Sequence, residues 1–144
     1  MSYNIAIDGP AGAGKSTIAK AVAKELGFIY VDTGAMYRAM ALYLIRKGIL
    51  PEDTKEMEKA CEQADISIVY QEGSQQVLLN GENVTGLLRQ EEVGNMASVS
   101  SANGRIREKL VELQRQLAAR ENVVMDGRDI GTCVLPGADV DRKS

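Results

Sequence analysis

Apolar positions follow two periods along this chain, and the switches between them mark its elements. Tyr3-Asn4-Ile5-Ala6-Ile7 is short and mostly apolar, as a strand buried in a parallel sheet is. Ile18, Val22 and Leu26 then recur every four residues with Ala19 and Ala23 beside them, which predicts a helix from Lys15 that Gly27 stops. Phe28-Ile29-Tyr30-Val31 predicts a second strand. Met36, Met40 and Leu44, with Tyr37, Ala41 and Ile45, predict a helix stripe opened by Asp32 or Thr33 as N-cap and closed at Gly48. Pro51-Glu52-Asp53 predicts the start of a third helix with acids in its first turn, burying Met57, Ala60, Cys61 and Ala64.

The period then drops to two. Ile66, Ile68 and Tyr70 alternate with polar neighbours, Gly73-Ser74 marks a turn, and Gln76-Val77-Leu78-Leu79 resumes as strand. Asn80-Gly81 is a hairpin signal, and Val84-Thr85 reads as a further short strand. Residues 65–89 therefore read as a mostly polar antiparallel insertion in an α/β chain. Helical spacing returns with Val93, Met96, Ala97 and Ser100. Ile106, Leu110, Leu113 and Leu117 then predict a longer amphipathic helix to about Arg120 whose other side carries Arg105, Arg107, Glu108, Lys109, Glu112 and Arg115. Val123-Val124-Met125-Asp126 is an apolar strand ending in an acid. After Pro136-Gly137-Ala138-Asp139-Val140 the polar Asp141 to Ser144 does not read as a strand. The domain reading is a core over 1–64 and 103–144 and an inserted substrate-binding unit with its following helix over 65–102.

Chemistry enters at the junction of the first strand and first helix. Gly9-Pro10-Ala11-Gly12-Ala13-Gly14-Lys15-Ser16 fits G-x-x-x-x-G-K-[ST], in the strand–loop–helix context that motif requires. Glycines let successive N–H groups turn inward on a phosphate, and the helix N-terminus adds donors and partial positive charge. Lys15 is placed to reach the β/γ-phosphates of a nucleoside triphosphate, and Ser16 to hold Mg²⁺. Asp126 at a strand end is the Walker-B arrangement, a carboxylate for the Mg²⁺ shell. The fold class is thus α/β, a P-loop NTPase-type parallel sheet flanked by helices.

Composition narrows the field. The chain has 144 residues, 44% hydrophobic and 26% charged, which suits one folded domain. A net charge of −3 gives no footprint for nucleic acid, and 4% aromatic residues give no stacking platform. No apolar run is long enough for a membrane span, and the first strand begins with no signal peptide ahead of it, so a cytoplasmic protein is expected. Cys61 and Cys133 are expected to be free thiols. The absence of histidine excludes Ser-His-Asp hydrolysis and histidine zinc sites. No Asn is followed by Lys and no D-x-x-G occurs, which disfavours a GTPase switch. Arg38, Arg107, Arg128 and Asp129 read instead as an acceptor site, arginine being suited to bidentate phosphate recognition.

Four segments carry a family resemblance: Gly9 to Thr17, Asp32-Thr33-Gly34-Ala35-Met36-Tyr37-Arg38, Gln90 to Ser98, and Asp126-Gly127-Arg128-Asp129-Ile130-Gly131-Thr132. In this order and spacing the chain resembles the bacterial cytidylate (CMP) kinases. The resemblance implies transfer of the γ-phosphoryl of ATP to CMP or dCMP with Mg²⁺. It implies ATP held by Gly9, Pro10, Ala11, Gly12, Ala13, Gly14, Lys15, Ser16 and Thr17. It implies phosphate-binding arginines at Arg38 and Arg128, cytosine readers at Ser98, Arg107 and Asp129, and Thr33 on the acceptor side. Catalysis then falls to Lys15, Arg38 and Arg128, with Ser16 and Asp126 serving the metal. For cytosine, Asp129 can accept from the exocyclic amine while Arg107 donates to the carbonyl, a pairing uracil reverses at one edge. Taken alone, Arg107 is one charge among many on a solvated helix face.

Members of that family continue further, with more parallel strands, an arginine-bearing lid, and ribose and adenine contacts. The chain therefore reads as truncated, with its first strand expected at a sheet edge, reduced turnover, and self-association in place of the monomer expected of a complete member. Two other readings stand beside it. One is a P-loop kinase of a small hydroxyl metabolite with Asp32 as base, and the other a catalytically silent nucleotide-binding fragment.

Overall fold

A computed structural model describes residues 4–8, 15–71, 74–127 and 140–143. In chain order the elements are β1 (Asn4–Asp8), α1 (Lys15–Leu26), β2 (Ile29–Asp32), α2 (Thr33–Arg46), α3 (Thr54–Cys61), β3 (Ile66–Gln71), β4 (Ser74–Leu79), β5 (Glu82–Asn83), a 3₁₀ turn at Thr85–Leu87, α4 (Glu91–Ser100), α5 (Gly104–Arg120), β6 (Val123–Gly127) and β7 (Val140–Lys143). Among the described residues the strands form a parallel sheet in the order β2-β6-β1-β7 and an antiparallel sheet in the order β3-β4-β5. This is the expected α/β class.

The parallel sheet is covered on both faces, and β6 shows it residue by residue. Val123 and Met125 face the large core built from α2, α3, α5 and the antiparallel strands. Val124, between them, joins Ile5, Tyr30 and Ala23 in a second cluster under α1. All three β6 residues are fully buried, which is why this strand reads as an unbroken apolar run rather than an alternation. At the end of α1, Gly27 takes φ +72° and the Phe28 N–H donates to the Ala23 carbonyl at 2.8 Å, a left-handed cap that turns the chain into β2.

Several expectations are corrected. A strand does form at the polar tail: β7 pairs in parallel with β1, Ile5 opposite Val140 and Asp8 opposite Lys143. That pairing uses main-chain N–H and C=O groups, so polar side chains do not prevent it. As a result β1 lies inside the sheet, not at its edge. The short strand expected at Val84-Thr85 lies at Glu82–Asn83, and Thr85 opens the 3₁₀ turn. Val84, just past β5, is fully buried, and its N–H still donates to the Val77 carbonyl at 2.9 Å. The second strand runs one residue later than expected because Phe28 is spent on the cap. The third helix starts at Thr54, after a turn over Pro51 and Glu52, and the Leu50 N–H donates to Asp53 Oδ2.

Two further differences concern burial. The helix expected to carry one apolar stripe is buried all round from Ala39 to Leu44, because α4, β4 and α3 pack around α2. The 65–89 segment is polar only on its outer side. Ile66, Ile68, Val77, Leu79, Val84 and Leu88 belong to the same core as Met36 and Met40. Asn80 (φ 49°) and Gly81 (φ 85°) make the expected hairpin turn, whose positive φ values suit this residue pair. Cys61 is a buried free thiol, as expected, and burial pushes its pKa up. Cys133 lies outside the described residues.

Candidate nucleotide-binding site

Three parallel strands end together. In the register of the sheet Ile7 faces Asp126 and Asp8 faces Gly127 across β1 and β6, while Asp32 faces Asp126 across β2 and β6. The carboxyl ends of such strands are where open α/β sheets place ligands. Two helices begin at this rim. α1 begins at Lys15 after the loop that leaves β1, and α2 begins at Thr33, the residue after β2. Asp32 is the N-cap of α2, as expected, and its side chain accepts from the Gly34 N–H at 2.9 Å.

Gly9 to Gly14, Arg128 and Asp129 lie outside the described residues. For Lys15, Ser16, Thr17 and Asp126 the description extends to the backbone alone, which puts the first three in the opening turn of α1 and Asp126 near the end of β6. β1 pairs directly with β6, so the ends of these two strands, with Asp8 opposite Gly127, are neighbours.

Of the residues expected on the acceptor side, Thr33 and Arg38 lie on the first turns of α2, Ser98 on α4 and Arg107 on α5. Thr33, its first residue, is buried to 9% exposure. Tyr37 stands four residues on and shares its face. Arg38 Nη1 donates to the Leu88 carbonyl at 3.0 Å. A methyl group in place of the Gly94 hydrogen would lie 4.0 Å from Arg38 Nη2, so α4 passes directly beside this guanidinium. Ser98 is exposed and lies one turn beyond Gly94 on α4, on the same face.

Arg107 reaches the group from α5. The first turn of that helix is set by Asn103, whose side chain accepts from the N–H groups of Arg105 at 2.9 Å and Ile106 at 3.2 Å. Arg107 is exposed, and its positive charge acts on the half-buried Tyr37 phenol. Burial of Tyr37 raises its pKa, outweighing the charge of Arg107, which acts in the other direction. Arg107 also stands in an open groove of about 750 Å³ along the outer face of α5, with Glu108, Val111 and Glu112.

The structure places Arg38 beside Gly94 of α4, one turn before Ser98, and Arg107 near Tyr37, one turn along α2 from Thr33. Two participants were not singled out for the site in the sequence. Tyr37 was read as part of an apolar stripe, and the Leu88 carbonyl carries no side-chain signal at all. Proximity of Tyr37 to Thr33 at helical spacing was the available clue for the first.

Among the described residues no group of three His, Cys, Asp or Glu side chains is placed to hold a metal by itself. Magnesium bound chiefly through phosphates and water needs only one or two protein oxygens, and a serine hydroxyl with one carboxylate is a donor set of that kind.

A strand leading into a glycine-rich G-x-x-x-x-G-K-[ST] segment, a helix starting at its lysine, and a neighbouring strand ending in Asp define a P-loop nucleotide kinase fold. The cytidylate kinase family profile matches residues 5–142. The chain is 52% identical over 137 residues to the cytidylate kinase of Caldicellulosiruptor bescii, with 95% of this chain and 61% of that protein covered. It is 52% identical over 139 residues to that of Desulfitobacterium hafniense (96% and 60%), and 52% over 136 residues to that of Solibacter usitatus (94% and 57%). The chain belongs to the cytidylate kinase family, and it spans about 61% of the length of the first of these relatives.

Proposed function

We propose that this chain binds ATP at Gly9 to Thr17 and CMP or dCMP beside the first turns of α2, and transfers the γ-phosphoryl group between them. The observation that carries the reading is the shared rim of β1, β6 and β2, where the helix after the triphosphate loop and the helix bearing Thr33 and Arg38 both begin. Donor and acceptor phosphates can meet there.

The acceptor is a phosphate monoester with a second pKa of about 6, so its attacking oxygen is largely deprotonated at neutral pH and no general base is required. The protein's tasks are positioning and charge neutralisation. Lys15 and the loop N–H groups hold the donor phosphates, and Arg38 with Arg128 holds the acceptor phosphate. Ser98, Arg107 and Asp129 read the cytosine, with the 65–102 unit on the acceptor side. Ser16 and Asp126 would hold Mg²⁺, which would supply charge neutralisation on the donor phosphates. Among the described residues no helix is long and apolar enough to cross a membrane, which suits an enzyme of cytoplasmic nucleotides.

Calorimetric titration with CMP, dCMP and UMP, followed by ADP measurement on the same sample, tests the reading. CMP or dCMP binding tighter than UMP, with Mg²⁺-dependent ADP release on adding ATP, is the expected result. Absence of CMP binding overturns it, and CMP binding without ADP release removes the transfer step.

A further inference from the structure

The antiparallel sheet ends at β5 on an exchange of hydrogen bonds. Val84 donates its N–H to the Val77 carbonyl at 2.9 Å, as the next rung of the β4–β5 ladder would. A full rung would return the Val77 N–H to the Val84 carbonyl. That N–H goes instead to the Thr85 hydroxyl at 2.8 Å. The Val84 carbonyl accepts from the Leu87 N–H at 2.8 Å, the bond that closes the 3₁₀ turn. Asn83 fixes Thr85 from the other side, its Oδ1 accepting from the Thr85 hydroxyl at 2.8 Å and from the Thr85 N–H at 3.1 Å. One hydroxyl thus takes the place of a main-chain acceptor, and the chain turns where it would otherwise run on as strand.

The turn leads to a carbonyl that holds Arg38. Val84 and Leu88 bury their side chains in the large core and pin both ends of the turn. The Leu88 carbonyl accepts from Arg38 Nη1 at 3.0 Å. α4 flanks the same guanidinium, a methyl group at Gly94 standing 4.0 Å from Nη2. Among the described residues no carboxylate lies within ion-pair distance of Arg38. An uncharged acceptor orients a guanidinium without neutralising it, and the remaining donors stay available to an anion. We propose that Thr85 is a positioning residue for Arg38: its hydroxyl sets the 3₁₀ turn, the turn sets the Leu88 carbonyl, and that carbonyl directs the guanidinium at the phosphate of the acceptor nucleotide. This deepens the phosphate-binding role proposed for Arg38 and rests on it. A guanidinium oriented beforehand loses less entropy when the ligand orders it.

The test titrates CMP, cytidine and ATP into the wild-type chain, Thr85→Val, Thr85→Ser, Asn83→Ala, Arg38→Met and the double variant of Thr85→Val with Arg38→Met. Thr85→Val keeps the shape of the side chain and loses the hydroxyl. CMP affinity is expected to fall about three- to tenfold, the range to which the net contribution of one hydrogen bond corresponds. Cytidine, which lacks the phosphate, and ATP are expected to bind as they do to the wild type. Thr85→Ser restores the hydroxyl and should recover most of the CMP affinity. Asn83→Ala, an exposed change that removes the partner of the hydroxyl, should act in the same direction by a smaller factor. In the Arg38→Met background Thr85→Val should have no further effect. Unchanged CMP affinity in Thr85→Val and Asn83→Ala, an equal loss for CMP and cytidine, or an equal loss in both arginine backgrounds overturns the proposal. NMR relaxation of the Arg38 Nε–H needs no ligand: the side chain should be ordered in the wild type and Thr85→Ser and more mobile in Thr85→Val. Equal mobility in all three also overturns the positioning role. A wild-type chain that binds no CMP overturns the reading of the site, and the relaxation result separates that failure from failure of the positioning.

Discussion

Arg38 donates from Nη1 to the carbonyl of Leu88 at 3.0 Å, and this bond links the helix that opens at the strand rim to the segment that leads into α4. A residue marked by sequence as a phosphate binder is thereby oriented from outside its own helix. Arg38→Met removes the charge and leaves the carbonyl unpaired. Hydrogen bonds to charged groups contribute about 1.5–3 kcal/mol, so CMP affinity or transfer should fall about ten- to hundredfold. Arg38→Lys should recover only part, because a lysine lacks the planar fork needed to hold both a carbonyl and a phosphate. Calorimetry and initial rates on the three proteins check this.

Arg46 and Glu82 form a two-point ion pair, Nη1 to Oε1 at 2.8 Å and Nη2 to Oε2 at 3.0 Å, between the end of α2 and β5. The hydrogen bond from Arg46 is the main cause holding the Glu82 pKa below the ordinary carboxylate range. Its stabilisation is therefore complete above the unfolded glutamate value, about 4.3, and is lost as pH falls through the lowered folded value. Both side chains are substantially exposed, so the effect is small and screened by salt. Thermal melts should show Glu82→Gln slightly less stable than wild type at neutral pH, with the gap closing in acid and in high salt.

Asn103 satisfies two N–H groups at the start of α5, and Arg107 stands one turn beyond it. Asn103→Ala should cost about 0.5–2 kcal/mol in chemical denaturation, while Asn103→Asp, which keeps the acceptor and suits the helix dipole, should cost little. Loss of CMP preference in the alanine variant alone would show that the cap also places Arg107.

β7 shields one side of β1 by main-chain pairing. Removing residues 140–144 should expose that side and produce concentration-dependent association, read by light scattering or sedimentation. A shortened chain that remains monomeric at all concentrations would contradict the role given to β7.

Much of this protein was legible in its sequence because local rules govern it. The Asp32 cap, the Gly27 stop, the Asn80-Gly81 turn and the spacing of Ile106, Leu110, Leu113 and Leu117 each depend on residues a few positions apart. Period and turn chemistry suffice for those. The family motifs likewise name the site residues as short runs. The places where the reading failed depend on distant partners. Main-chain pairing of β7 with β1 is indifferent to the polar side chains at 141–144, so no hydropathy pattern announces it. Val84 reads as strand because it is apolar, yet it lies just past β5 with its side chain buried in the large core. The all-round burial of α2 comes from elements on several sides, which a single stripe cannot encode.

The sequence by itself determined most of the elements, the G-x-x-x-x-G-K-[ST] motif and the positions of the arginines. Only the tertiary structure decided that strands β1, β6 and β2 end in one row, since register is a relation between segments more than ninety residues apart in two of these pairings. It also decided what each arginine is held by. Glu82 and Leu88 are ordinary residues in the sequence, and they become a charge partner and a carbonyl anchor only when packing brings β5 and the segment before α4 against α2.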